Sequence, residues 1–417
     1  LTERIDELRR GWVLILAACA GVTCSSVVLP FYSIGVLVKP LTEEFGWTRA
    51  QFQSSILFSA SLGALISPIV GWLIYRYGAR RTALYGLGGL SLGFMLAAFI
   101  QGQLWMLYLS YAVMAVLGAG TTPVTWTSAI TANFDRARGL ALGLTLTGTG
   151  ICAVLAPQYG VLLVESFGWR AAYVGLALLP ILFAGPIVFF GFKPDGGTAA
   201  RNRPLADASW GLSLGEAFRT YKFWILLISI LCIYMAVSGI SPNLIPALTD
   251  NGMSPQDAAT VQGMYGIAIV LGRLVVGYLV DRFWAPAVAA VALCLPVVGC
   301  LILVGNPAFL LACFAALLIG FAAGAELDLM SFLAARYFGV KHYAKIYAVL
   351  YAVLAICSGA APVAFATVFD RTANYDISFY VASVAFAIGA LILLSLGPYP
   401  RREQRAQLAE PAHAVSR

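Results

Sequence analysis

Apolar residues fall in long runs separated by short polar stretches, near residues 11–38, 51–76, 81–101, 104–131, 138–166, 169–192, 222–248, 255–281, 285–305, 308–334, 343–369 and 376–397. A bilayer core takes about 20 apolar residues per helix. Each run therefore predicts a membrane-spanning helix, and the chain as a whole predicts twelve. Turn-forming residues separate most of them: Phe45-Gly46-Trp47-Thr48, Gly78, Gly168, Asn251-Gly252, Asn306-Pro307 and Asn374. The runs are too long, too apolar and too glycine-rich for the alternation of barrel strands.

The longest internal polar stretch, 193–221, leaves six runs on either side. It holds Pro194-Asp195-Gly196-Gly197 and several charges, and predicts a cytoplasmic linker with a surface helix around 213–221. The expected organisation is a six-helix bundle over 1–192, the linker over 193–221, a second six-helix bundle over 222–400 and a disordered polar tail over 401–417.

Composition excludes the soluble alternatives. With 60% hydrophobic and only 11% charged residues, at a mean hydropathy of +0.85, the chain cannot cover the surfaces of a water-soluble enzyme of 417 residues. A net charge of +7 suggests a nucleic-acid partner, but the basic residues form no patch interleaved with aromatics. They sit in short clusters between the runs. With the N-terminus placed in the cytoplasm, 21 of the 26 Lys and Arg residues fall on that side, and only Lys39, Arg49, Arg170 and Arg371 on the other. That excess predicts both termini inside. Arg273 belongs to neither side.

All eight cysteines lie inside apolar runs, and His342 and His413 lie in polar stretches, so neither a disulfide framework nor a metal site is expected. No phosphate-binding G-x-x-x-x-G-K-[ST] is present, and no cofactor or nucleophile–base pair is expected, which argues against an enzyme or a receptor. The first run, from Trp12, is too long for the core of a cleaved signal.

The halves repeat each other at an offset of about 205 residues. Leu41-Thr42-Glu43 matches Leu248-Thr249-Asp250, Thr48 and Gly71 match Ser254 and Gly277, Phe134 matches Phe338, and Ala156-Pro157 matches Ala361-Pro362. A six-helix unit duplicated in parallel gives an all-α membrane protein of two bundles related by a pseudo-two-fold along the membrane normal. Such bundles can rock about a central site and expose it alternately to either side.

The segment Gly71-x-Leu73-x-Tyr75-Arg76-Tyr77-Gly78-x-Arg80-Arg81 resembles the loop motif between the second and third helices of the major facilitator superfamily. That family usually has Asp where this chain has Tyr75; the second-half copy keeps Asp281. The resemblance implies a conformational gating role for Gly71, Arg76, Arg80, Arg81, Gly277, Asp281 and Arg282, altered at Tyr75. Within the superfamily, three segments resemble monocarboxylate-transporter-like proteins, a branch that includes oxalate/formate-type carriers. They are Phe134-x-Arg136-x-Arg138-Gly139-Leu140-Ala141-Leu142-Gly143 with Gly148-x-Gly150, Tyr337-Phe338-Gly339, and Gly272-Arg273-Leu274-x-x-Gly277-x-Leu279-x-Asp281-Arg282. In those relatives the arginine of the last segment holds a substrate carboxylate. Two features depart from the branch: Ile269 replaces an Asp often found one turn before that arginine, and Phe31-Tyr32 follows Pro30 where animal members carry Lys. The likeness, with no targeting segment in view, implies a multi-pass protein of a bacterial inner (cytoplasmic) membrane that works as a monomer without cofactor.

Only Arg273, Glu326 and Asp328 are ionisable and deep within runs. Each costs roughly 2.5–3.5 kcal/mol in lipid, so a helix keeps them only with a compensating environment. A guanidinium presents a rigid fork that matches a carboxylate. Arg273 is thus expected either to anchor an organic anion or to pair structurally with Glu326 or Asp328; intramembrane charges mark substrate pathways by default, which favours the anchor. The two acids, about 200° apart on a helix, cannot face the same way. Either is a candidate proton-coupling group, and the sequence leaves open which faces the cavity.

Further candidate substrate-binding residues are Tyr32, Trp126 and Gln158 in the first half and Gln262, Tyr234, Asn243 and Tyr351 in the second. Gln262 shares Arg273's helical face, and Tyr347, Tyr351 and Ser358 form one stripe. Taken singly, such residues more often serve helix packing. The leading expectation is proton-coupled symport of a small monocarboxylate or semi-apolar or aromatic acid. The alternatives are carboxylate exchange and proton-driven multidrug efflux; Ala156-Pro157-x-x-Gly160 resembles a degraded drug-antiporter motif, but efflux leaves Arg273 unexplained.

Overall fold

The computed structural model describes residues 2–134, 137–192, 211–339 and 341–399. Most of the linker and all of the tail thus lie outside the described residues. Within them the chain is helical, without strands, and all twelve predicted spans are found. Eleven are long and apolar enough to cross a bilayer. The twelfth, α4 (Ala79–Ala98, 20 residues), opens on Arg80 and Arg81 and is lower in hydropathy.

In the first half, the first span is α1 (Thr2–Thr23) followed by α2 (Val28–Phe45), and the second is α3 (Arg49–Tyr77). After α4, the fourth span is α5 (Leu104–Leu117) and α6 (Pro123–Asn133), joined by a 3₁₀ turn at Gly118–Thr121. The fifth is α7 (Arg138–Leu146) and α8 (Gly148–Phe167). The sixth is α9 (Trp169–Leu178) and α10 (Gly185–Gly191), separated by a π-helical stretch Leu179–Ala184 that begins one residue before Pro180. The second half is more regular: a short α11 (Leu214–Arg219), then α12 (Tyr221–Asp250), α13 (Pro255–Val280), α14 (Ala285–Leu303), α15 (Phe309–Phe338), α16 (Tyr343–Thr372) and α17 (Asp376–Leu394).

The first apolar run reads as one helix but breaks at residues 24–27. Short hydroxyl side chains compete with the helical ladder for backbone groups. Thr23 donates to the carbonyls of Cys19 and Gly148 (2.9 and 3.2 Å), and the Ser26 amide donates to Thr121 Oγ1 (2.8 Å). Pro30, with no N–H, releases a further carbonyl at the break.

Two landmarks of the repeat do equivalent work. Thr48 and Ser254 are the N-caps of α3 and α13, accepting from the Gln51 and Asp257 amides at 3.1 Å each. Glycines set the closest helix contact of the second half. A Cβ on Gly272, Gly320 or Gly324 would lie 2.0–2.2 Å from the carbonyl oxygens of Phe321, Tyr265 and Ile269, so α13 and α15 meet backbone to backbone. Gly320→Ala is therefore expected to destabilise the detergent-purified protein by about 1–3 kcal/mol, read as a lowered melting temperature. Gly63→Ala, where no atom lies within 4 Å, should not.

The two halves meet along three pairs, α2 with α12, α3 with α16 and α8 with α13. The contacts run from mid-helix toward the end away from the termini. Gly35 faces the Pro242 carbonyl, Gly359 faces Leu57, and Gly150 and Gly266 face each other. On the terminus side the halves stand apart: α6 and α7 pack on first-half helices, and Gly71, Gly139, Gly143 and Gly277 meet nothing within 4 Å. The protein is closed at the distal end and open at the end that carries its termini.

Candidate functional site

Arg273 lies on the buried face of α13, and the glycine contact brings α15 within its reach. Its side chain is 5% exposed; Nε stands 3.2 Å from Asp328 Oδ2 and 3.4 Å from the Gly324 carbonyl. Nη1 is buried without a hydrogen-bond partner. Asp328 is 42% exposed and faces the open side. Its neighbour two residues earlier turns the other way, as the helical phase requires. Glu326 borders a small apolar cavity of about 30 Å³ with Tyr234, Leu329, Met330 and Leu354, and its Oε2 is buried without a partner.

Tyrosines surround this acid–base cluster. Tyr32 from α2 is within electrostatic reach of both Glu326 and Arg273, and Tyr234 from α12 within reach of Glu326 and Tyr351. Tyr265, absent from the candidates read in the sequence, belongs here: fully buried, within reach of Tyr32 and Glu326, its hydroxyl unpartnered. Its position three residues after Gln262, on the face shared with Arg273, was the available signal. Gln262 is buried, with Nε2 3.4 Å from Ser241 Oγ and Oε1 unpartnered.

Three sequence candidates lie elsewhere. Trp126 is enclosed in the first-half core, its Nε1 donating to the Thr121 carbonyl at 2.8 Å and its ring against Gly21 and Phe192. Gln158 is exposed and borders a lateral cavity of about 670 Å³ formed by α8, the π-helical stretch and the start of α13. Asn243 is saturated by a network between the halves: Nδ2 donates to the Gly239 and Pro362 carbonyls (2.9 and 3.3 Å), and Oδ1 accepts from Tyr375 (3.2 Å) and Gln53 (3.4 Å).

That network continues to the distal surface through a residue that sequence reading took only as a loop charge. Arg49, first residue of α3, forks onto Asp250 at the end of α12 (2.5 and 2.9 Å) and donates to the Tyr375 hydroxyl (3.1 Å). The Asp370 carboxylate, at the end of α16, accepts the amides of Arg49 and Ala50 at 3.0 and 2.9 Å, seating a second-half anion on a first-half helix N-terminus. Gln256 of α13 donates to Glu165 of α8 beside it.

Of the expected gating residues, Arg80 is tied to α10: it donates to the Phe189 carbonyl (2.7 Å) and covers that ring at 4.4 Å. Arg282 covers Tyr278 at 4.2 Å, while Arg76, Arg81 and Asp281 are exposed and Gly71 and Gly277 border open space.

Two internally similar halves around an intramembrane arginine agree with comparison to known proteins: residues 11–243 and 226–416 each match the Major Facilitator Superfamily. The chain belongs to that superfamily. It is similar to Monocarboxylate transporter 11 of Homo sapiens, at 29% identity over 66% of this chain and 57% of that protein. It is also similar to the uncharacterized MFS-type transporter YhjX of Escherichia coli (strain K12), at 27% identity over 72% of this chain and 75% of that protein. Monocarboxylate transporter 12 of Xenopus laevis matches at 21% identity over 92% of this chain and 88% of its own length. The chain thus spans under two thirds of the length of the human relative. The protein is a multi-pass membrane protein of that superfamily.

Proposed function

We infer that the protein is a secondary transporter of a small organic carboxylate, with Arg273 as the anion anchor. The observation that carries this is the buried guanidinium itself: Nε is engaged by Asp328 while Nη1 has no partner, which leaves one arm of the fork for an incoming oxygen. A second anion arriving from the open side would displace Asp328, which is partly exposed and free to turn away. Asp328 then acts as the internal competitor that occupies Arg273 when substrate is absent. Glu326, with an oxygen that lacks a donor and no direct contact to the arginine, is the group we assign to proton coupling. Tyr32 from the first half and Tyr234, Gln262 and Tyr265 from the second frame the space between the bundles.

The fold supports alternation, in which the distal contacts open as the terminus-side halves close, with Arg273 near the pivot. The excess of basic residues on the terminus side supports both termini in the cytoplasm, and hence an inward-facing state. The repeat supports two bundles, 1–192 and 222–400, joined by a cytoplasmic linker.

Purified protein with short, hydroxy-, di- and aromatic carboxylates, beside lipophilic cations, at pH 5.5 and 7.5, tests the reading, because a ligand selective for the folded state raises its melting temperature. A rise of about 2 °C or more with monocarboxylates is expected. Stabilisation by cations alone would show the reading to be wrong and make Arg273 structural.

A further inference from the structure

Three tyrosines climb the open side of the site. Tyr343, Tyr347 and Tyr351 recur every fourth residue on α16 and so share one face. Their rings lie nearly parallel, 5.4 Å apart at 23° and 6.2 Å apart at 25°. Tyr343 is the first residue of α16, at the terminus-side mouth, and Tyr351 is 40% exposed two turns deeper. Eight residues of helix rise about 12 Å, which is also the depth of Arg273 above the same end of α13. The ladder passes the ion pair, since Tyr347 is within electrostatic reach of Asp328 and Tyr351 of Tyr234. It therefore leads from the open side to the arginine as one aromatic wall.

Resting on the carboxylate reading above, we propose that this ladder selects a planar aryl carboxylate, whose ring slides along the tyrosine faces while its carboxylate displaces Asp328 from Arg273. Tyrosine faces reward a flat π-system that stacks on them more than a puckered ring of equal size. The remaining wall offers a polyhydroxylated acid few partners: the cavity beside Glu326 is lined mostly by leucine, isoleucine, tyrosine and methionine, and the amides Gln262 and Asn243 are both buried. An aromatic amine would find the same rings but would meet the charge of Arg273 at their end.

Benzoate and cyclohexanecarboxylate share a carboxylate and a six-carbon ring and differ in planarity, so their ratio isolates the stacking term. Wild-type protein is expected to bind benzoate roughly 3- to 10-fold more tightly, measured by calorimetry or competition uptake. Tyr347→Leu and Tyr351→Leu should each bring the ratio close to unity with cyclohexanecarboxylate affinity unchanged, and Tyr347→Phe and Tyr351→Phe should keep it. Because Tyr351 is exposed, its leucine variant is the one least able to disturb folding, and ligand-free melting checks this. Equal affinities in the wild type, or a ratio that the leucine variants leave intact, would overturn the ladder while leaving the carboxylate reading in place. If no carboxylate binds and benzylamine does, both are overturned.

Discussion

Arg273→Gln is expected to abolish stabilisation and uptake of every carboxylate that the wild-type protein handles. Glutamine keeps most of the side-chain length and a donor but removes the charge and one arm of the fork. Truncating one partner of a desolvated, hydrogen-bonded charge pair costs about 2–5 kcal/mol, which is roughly 30- to 4,000-fold in affinity. The variant also leaves Asp328 without the cation 3.2 Å away, so some loss of fold stability accompanies the loss of binding. Arg273→Gln with Asp328→Asn separates the two, since it removes the stranded charge: the melting temperature should recover and carboxylate binding should not. Arg273→Lys keeps the charge as a point without the planar fork and should fall between. Carboxylate binding that survives Arg273→Gln would make the arginine a structural partner of Asp328 and end the anchor assignment. Glu326→Gln gives the companion result: proton-driven uptake lost, counterflow of substrate down its own gradient retained in part.

What could be read from the sequence depended on how local its cause was. The twelve spans were legible because a bilayer imposes the same long apolar requirement on each of them. The N-caps at Thr48 and Ser254 were legible as repeat landmarks because capping involves only four successive residues. The break after Thr23 was not, because Thr23 and Ser26 bond to Gly148 and Thr121, residues far along the chain. The same difference holds at the site. Helical phase required Glu326 and Asp328 to point apart, yet only the approach of α13 and α15 through Gly272, Gly320 and Gly324 decides that Asp328 is the acid beside Arg273. Gly320 and Gly324 meet a neighbouring helix, as does Gly120 against the Thr82 carbonyl, whereas Gly139 and Gly143, at the same spacing, face open space in this conformation. Trp126 resembled a pocket residue as any aromatic within a span does; its indole is instead matched to the gap above Gly21, a pairing with no sequence signature. Arg49 sat in a distal loop by its position and drew attention only as one of four basic residues on that side.

Loss of Arg49 is expected to open the distal end. Its guanidinium, 10% exposed, forks onto an Asp250 side chain that is 20% exposed and lies over the Phe369 ring at 3.7 Å. The pair joins the two halves, and so do Asp370 on the α3 N-terminus and Gln53 on Asn243. If the halves part here in the alternation proposed above, all of these contacts favour one conformation alone, and their removal shifts the equilibrium rather than simply weakening the fold. Hydrogen bonds to a charged group contribute about 1.5–3 kcal/mol, or roughly 10- to 150-fold in that equilibrium. Spin labels at Glu43→Cys and Thr372→Cys, both exposed on the distal side and one in each half, report the gap once the free cysteines are replaced. The parent should give one short distance. Arg49→Gln, and Asp370→Asn to a smaller degree, should add a longer population, and the charge-swapped Arg49→Asp with Asp250→Arg should reduce it again. An unchanged distance in Arg49→Gln would mean that the packing of Gly35 on Pro242 and Gly359 on Leu57 holds the end closed without the ion pair. The two terms differ in their salt dependence, because screening weakens a partly exposed pair and leaves apolar packing untouched. Raising ionic strength on the parent protein should therefore lengthen the distance if the latch is electrostatic.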